Sequence, residues 1–166
     1  MKRNIQLANR IREVLLNGKW IANTNYEEQL TQVSWKQAVQ KVHGLNTIAE
    51  LTFHVNYYLK GLLHFFDTGK LEIKDEFSFK ISKITAQEDW DTLVTSFVNN
   101  SEQFAIKVSH MDNSLLDQIF VDRKYGTYER NIEGVIEHSY YHLGQIVLLK
   151  RMIGQKGTIA KLKNKN

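Results

Sequence analysis

The sequence predicts an all-α protein built as a four-helix bundle, and three observations carry that prediction. Four long segments repeat their apolar residues at the 3.6-residue period of an amphipathic helix. Two of them open on the Thr-x-x-Glu pattern in which the first and fourth residues cap each other's backbone. The 166 residues contain no proline. Average usage of about 5 % would give roughly eight, and proline is the residue that interrupts helix interiors.

The first helix is expected over residues 4–17, with Ile5, Ala8, Ile11, Val14 and Leu15 on one side and Gly18 as its stop. Residues 19–46 read as irregular, with turn chemistry at Asn23-Thr24-Asn25 and a short helix after Ser34. Thr47-Ile48-Ala49-Glu50 is a capping box that opens the second helix, which continues to residue 66 before Gly69. Residues 70–84 alternate enough to suggest a long extended connection. Thr85-Ala86-Gln87-Glu88 reads as a second capping box and starts a third helix to residue 110, with Trp90, Leu93, Val94, Phe97, Phe104 and Val108 turned inward. A helical turn is expected near residues 115–119. The last helix spans 127–153 and is expected to end at Gly154.

No internal repeat or Gly/Ser linker divides the chain, so residues 1–153 read as one domain, followed by a basic tail at 154–166. That tail holds four Lys and no acid, and without it 18 basic residues face 18 acidic ones. The body is therefore neutral and lacks the basic stripe of a nucleic-acid binder. No apolar run approaches the roughly 20 residues of a membrane-spanning helix. Met-Lys-Arg-Asn leads into a charged amphipathic segment, not a signal sequence. The expectation is a soluble cytoplasmic protein with no nucleic-acid or membrane partner. Cysteine is absent, which excludes disulfides, thiolate metal sites and a cysteine nucleophile. Any metal must be held by His, Asp or Glu.

Six histidines occur, and His138 and His142 are the informative pair. Their i,i+4 spacing puts both imidazoles on one helix face, about 40° apart. On a helical wheel they border the arc formed by Ile132, Val135, Ile136, Leu143, Ile146 and Val147, with Asn131 and Gln145 beside them. Glu137 points about 100° away from His138 and cannot serve as a zincin-type base. On the second helix His54 borders the arc of Leu51, Val55, Leu59, Leu62 and Phe66, beside Glu50, Tyr58 and Gly61. Two such helices packed together can bring three imidazoles to one point. Three neutral His with one position open is the donor set of a catalytic metal site. The plainer alternatives are a surface His pair, a boundary His54 and a Glu50 that only caps its helix. His43, His64 and His110 read as element-end or exposed residues.

The segments Asn46-Thr47-Ile48-Ala49-Glu50-Leu51-Thr52-Phe53-His54 and Ile136-Glu137-His138-Ser139-Tyr140-Tyr141-His142-Leu143-Gly144-Gln145-Ile146 together resemble the DinB/YfiT-like superfamily of metal-binding four-helix bundles. That family carries one His in helix two and H-x-x-x-H late in the chain, and the resemblance spans nearly the whole length. It implies an up-up-down-down bundle with a long connection after helix two, commonly a homodimer. It also implies a divalent metal on His54, His138 and His142. Imidazole ligands do not choose among zinc, nickel, iron and manganese. The superfamily includes thiol-dependent transferases and a thiol-dependent isomerase, which implies a small-molecule substrate and a low-molecular-weight thiol as cofactor.

Two functional expectations follow. In the first, the protein is a metal-dependent enzyme of thiol S-transferase or hydrolase type. Its nucleophile comes from substrate, cofactor or water, and Glu50 and Tyr58 are the nearest candidates for a base. In the second it is a non-catalytic metal-binding module for stress response or interaction. A weaker third reading is a bundle that binds no metal.

Overall fold

The computed structural model describes the backbone of residues 2–163 and the side chains of residues 2–154. Among these residues the protein is all-helical, with no strand and one isolated bridge between Ile119 and Thr127. Four long helices form the body: α1 (Arg3–Leu15), α4 (Ile48–Thr68), α5 (Gln87–His110) and α7 (Tyr128–Lys163). Three short ones, α2 (Tyr26–Thr31), α3 (Trp35–Ala38) and α6 (Asn113–Leu116), lie in the connections.

The helix boundaries follow from local chemistry. At the start of α4 the Thr47 hydroxyl accepts from the Glu50 N–H at 3.1 Å, and the Glu50 carboxylate accepts from the Thr47 N–H at 2.6 Å. This is the expected reciprocal cap. Gly69 ends α4 in the left-handed region, φ +72°, with its N–H on the Phe65 carbonyl. Ser34 caps α3 in the same reciprocal way with Gln37. At α5 the cap is one residue out of the expected register. Asp89, not Glu88, accepts from the backbone of Thr85 and Ala86 and from the Thr85 hydroxyl.

Other boundaries depart further. α2 occupies a stretch expected to be irregular. Its six residues are too few to show a period, yet Asn25 caps it by accepting from Glu28 N–H, and it buries Tyr26 and Leu30. α6 starts at Asn113, ahead of the expected turn. α1 ends before Gly18, which serves close approach instead: a Cβ there would stand 2.4 Å from the Glu13 Cα. α7 passes through Gly154, so the segment set apart as a tail continues the helix to Lys163. A glycine inside a helix costs about 1 kcal/mol and does not by itself stop it. Residues 164–166 lie outside the described residues.

α1 and α4 each pack on both α5 and α7, so the four long helices close a ring in which α1 stands diagonal to α4. Cross-helix contacts fix their directions. Arg3, Arg10 and Glu13 meet Glu129, Glu133 and Tyr140 in the same order, so α1 and α7 run parallel. Asn4 meets Ser109 and Arg12 meets Glu102, so α5 runs against α1. Asn56 meets Ser96 and Phe66 meets Phe104, so α4 runs with α5. The order is up-down-down-up, which corrects the expected up-up-down-down. The long connection after the second long helix is present. Because α4 and α5 are parallel, residues 69–86 must return along α4, about 31 Å for its 21 residues. They do so as extended chain with a 3-10 turn at Asp75–Phe77.

Ile11, Leu15, Leu59, Phe97, Phe104, Ile132 and Leu143 fill the core. Tyr26 stacks on Phe97 at 5.0 Å and donates its hydroxyl to the Ser139 carbonyl at 3.1 Å. Trp90 donates its indole N–H to the Val33 carbonyl at 2.8 Å, which ties the connection before α3 to α5. No helix among the described residues is long and apolar enough to cross a membrane.

Candidate metal centre

α4 and α7 run antiparallel, and their shared seam brings His54 to His138 and His142. The Nε2 atoms of His54 and His138 are 3.2 Å apart, and those of His138 and His142 are 2.9 Å apart. One ligand atom from each of the three lies within 4.8 Å of the others. Ligands about 2.1 Å from a tetrahedral ion stand about 3.4 Å from one another. The three histidines are therefore close enough to bind a metal ion, as their positions on the two wheels suggested. His54 and His142 are 7 % exposed and His138 is half-buried.

The hydrogen bonds around the rings set their chemistry. Gln145 places its Oε1 2.6 Å from His142 Nδ1. That acceptor takes the Nδ1 proton and leaves the Nε2 lone pair facing the other two rings. His138 Nε2 stands between its neighbours, and one proton there can point at only one of them. The three Nε2 atoms face one another with too few protons to match every pair in a single hydrogen-bond chain, and a cation among them would accept all three lone pairs. The donor set thus fits a divalent metal. Burial, then the neighbouring His138 and His142, hold His54 down at a pKa of about 4, while the Ser78 backbone and Asp75 act the other way. Burial and His142 hold His138 at about 4 as well, and burial lowers His142. All three rings are neutral at pH 7, the form a metal requires.

The long connection covers one side of this cluster. Phe79 stacks on His54 at 4.0 Å and 12°. His54 Nδ1 is buried there with no partner in hydrogen-bond geometry, the Ser78 backbone acting on the ring from outside that geometry. Tyr58 turns its edge to His54 at 5.0 Å and to His138 at 5.6 Å, and donates its hydroxyl to Asp75 Oδ1 at 2.9 Å. Burial and that bond raise the Tyr58 pKa. Tyr141 touches His142 from the exposed face of α7. Beside His138 and Tyr58 a cavity of about 660 Å³ opens between α4, α7 and the connection.

Several candidate residues lie elsewhere. Glu50 caps α4 and pairs with Lys41 at 2.8 Å. Burial would raise its pKa, but the Lys41 and Thr47 hydrogen bonds prevail and lower it. It is thereby withdrawn from the cluster. His64 pairs with Glu72 at 3.3 Å, His110 approaches the Ile106 carbonyl at 2.8 Å, and His43 sits in a turn with φ +52°. Asn131 donates to the Tyr125 and Thr127 carbonyls at the start of α7. Sequence reasoning missed Asp75, Ser78 and Phe79, since an extended connection has no period to show which residues face the site. Comparison with protein-family models, with curated proteins and with solved structures finds no match to this chain.

Proposed function

We propose that the protein is a divalent-metal enzyme of thiol S-transferase or hydrolase type. In this reading His54, His138 and His142 hold the ion and one position stays open to a small molecule. The observation that carries it is the convergence of three neutral Nε2 atoms with no fourth His or carboxylate in the group among the described residues. A closed structural site takes four protein ligands, and an open catalytic one takes three. The cavity beside His138 supports access for substrate.

A bound ion supplies Lewis acidity and lowers the pKa of a thiol or water. The chain supplies the rest. Gln145 fixes the His142 tautomer, and Phe79 shields His54 from water. The Tyr58 hydroxyl, tied to Asp75, is a proton carrier on a residue whose ring packs edge-on against His138. With no cysteine in the chain, the attacking group arrives with substrate, cofactor or water.

Membership of the DinB/YfiT-like superfamily and its homodimeric state belong to the same proposal. One His on the second long helix and H-x-x-x-H on the last support it. The helix order, which differs from the one expected of that family, does not.

Elemental analysis of the purified chain beside H54A, H138A and H142A tests the metal. About one equivalent per chain is expected, lost in each variant. Equal metal content in all four samples overturns the proposal. Thermal shift of the metal-loaded protein with low-molecular-weight thiols then separates the classes. Stabilisation by thiol only with metal present supports a transferase. Metal binding with neither a thiol response nor hydrolysis of activated esters makes the protein a non-catalytic metal-binding module.

A further inference from the structure

The cavity beside His138 changes character along α7. At one end His138, Tyr58 and Asp75 cluster. Arg130 stands eight residues earlier on the same helix, about 12 Å along its axis, and lines the cavity together with Lys124. Between these ends the walls are apolar, with Val135 and Leu62 among them, while Phe120 packs on Tyr128 at the Arg130 end.

The charges are unequal. Asp75 is the acidic lining residue, and it is engaged by the Tyr58 hydroxyl. Arg130 bonds Glu137 at 3.0 Å, which leaves other guanidinium donors of its fork unused by that bond. Lys124 sits 4.8 Å from the Tyr125 ring centre and has no carboxylate within ion-pair distance among the described residues. Gly134 lies midway between Arg130 and His138 on α7 and keeps the passage open. A Cβ there would meet only Arg130 Nη1, at 3.8 Å, so a larger side chain projects into the cavity without touching the helix core.

We propose that this cavity binds a small organic anion with an apolar body. Its carboxylate lies at Lys124 and Arg130, and its body follows Leu62 and Val135 towards His138. The inference names the substrate class of the proposed metal site, and rests on that reading only for what happens at the His138 end. A volume of about 660 Å³ suits a ligand of this size. The two cationic side chains of the lining select charge, while the apolar wall selects a hydrocarbon of fitting length.

Calorimetric titration of the full chain with octanoate, octan-1-ol and octylamine tests this. Octanoate is expected to bind about tenfold or more tighter than the other two, since hydrogen bonds to a charged group contribute on that scale. K124Q/R130Q is expected to remove the preference. Gly134→Leu is expected to abolish octanoate binding while the metal content is unchanged, and leucine favours the helix more than glycine does. Equal affinity for octanoate and octan-1-ol, or undiminished octanoate binding in Gly134→Leu, overturns the proposal. Metal analysis of the same samples separates the two readings. Octanoate bound by a chain that holds no metal supports the pocket and overturns the metal centre. Metal held with no octanoate bound does the reverse.

Discussion

Gln145 gives His142 a side-chain acceptor at Nδ1, which neither His54 nor His138 has. Its carbonyl oxygen, 2.6 Å from Nδ1, fixes which nitrogen carries the proton and so which one faces the cluster. His54 has no such partner at Nδ1 and is held by Phe79 stacking and by packing. Loss of the Gln145 acceptor should therefore be felt in affinity before it is felt in folding. Gln145→Leu is expected to weaken metal binding about 10- to 100-fold, read by competition with a chromogenic chelator, and Gln145→Glu is expected to restore most of it. Unchanged affinity in Gln145→Leu would show that packing alone orients the ring. At this scale much was legible beforehand. The i,i+4 pair, the position of His54 at the edge of its arc and the nearness of Gln145 are all fixed by 100° per residue. Asp75 and Phe79 were not legible, because their approach to the cluster depends on how an aperiodic segment drapes over α4.

That draping is an element-scale property, and Gly61 controls it. On α4 a Cβ at position 61 would lie 2.4 Å from Ile73 Cγ1 and 2.8 Å from its Cδ1. The connection therefore rests directly on the helix backbone, and the segment carrying Asp75 and Phe79 follows from Ile73. Gly61→Ala gains about 1 kcal/mol in helix propensity. It also forces Ile73 outward, and overpacking of this kind costs roughly 1–3 kcal/mol. The net expectation is destabilisation of about 1 kcal/mol in urea unfolding, with faster hydrogen exchange confined to residues 70–79. A variant more stable than the parent would mean that the connection moves away freely and does not hold Phe79 on His54. Sequence showed that this connection exists, from the gap between two capping boxes. It also showed the box at α4, but the box expected from Thr85 to Glu88 does not form: Asp89 caps α5 instead, because Thr85 and Ala86 offer it three donors together. A single-residue shift of that kind changes no periodicity and leaves no mark in the pattern.

Helix directions belong to the whole molecule, and no local pattern encodes them. An amphipathic stripe says that a helix buries one face. It does not say which of its two directions it takes or which neighbours it meets. Here α1 and α7 run one way and α4 and α5 the other. On the helices bearing the histidines, His54 and His138 stand 84 positions apart in the chain. A metal shared by these three residues would link α4 to α7 in the folded chain and find no comparable site in the unfolded one. Anything that binds only the folded form adds RT ln(1 + [L]/Kd) to its stability, about 2.7 kcal/mol at 100 times Kd. Removing metal with a chelator is therefore expected to lower the unfolding free energy by about that amount at such loading. The same treatment should do nothing to H138A, whose unfolding curve should already match that of the stripped parent apart from the lost imidazole contacts. A chelator effect of equal size in both proteins would place the ion somewhere other than the three histidines. No chelator effect in a parent shown to contain metal would mean that the ion binds folded and unfolded chains alike, which a site assembled from two distant helices does not allow.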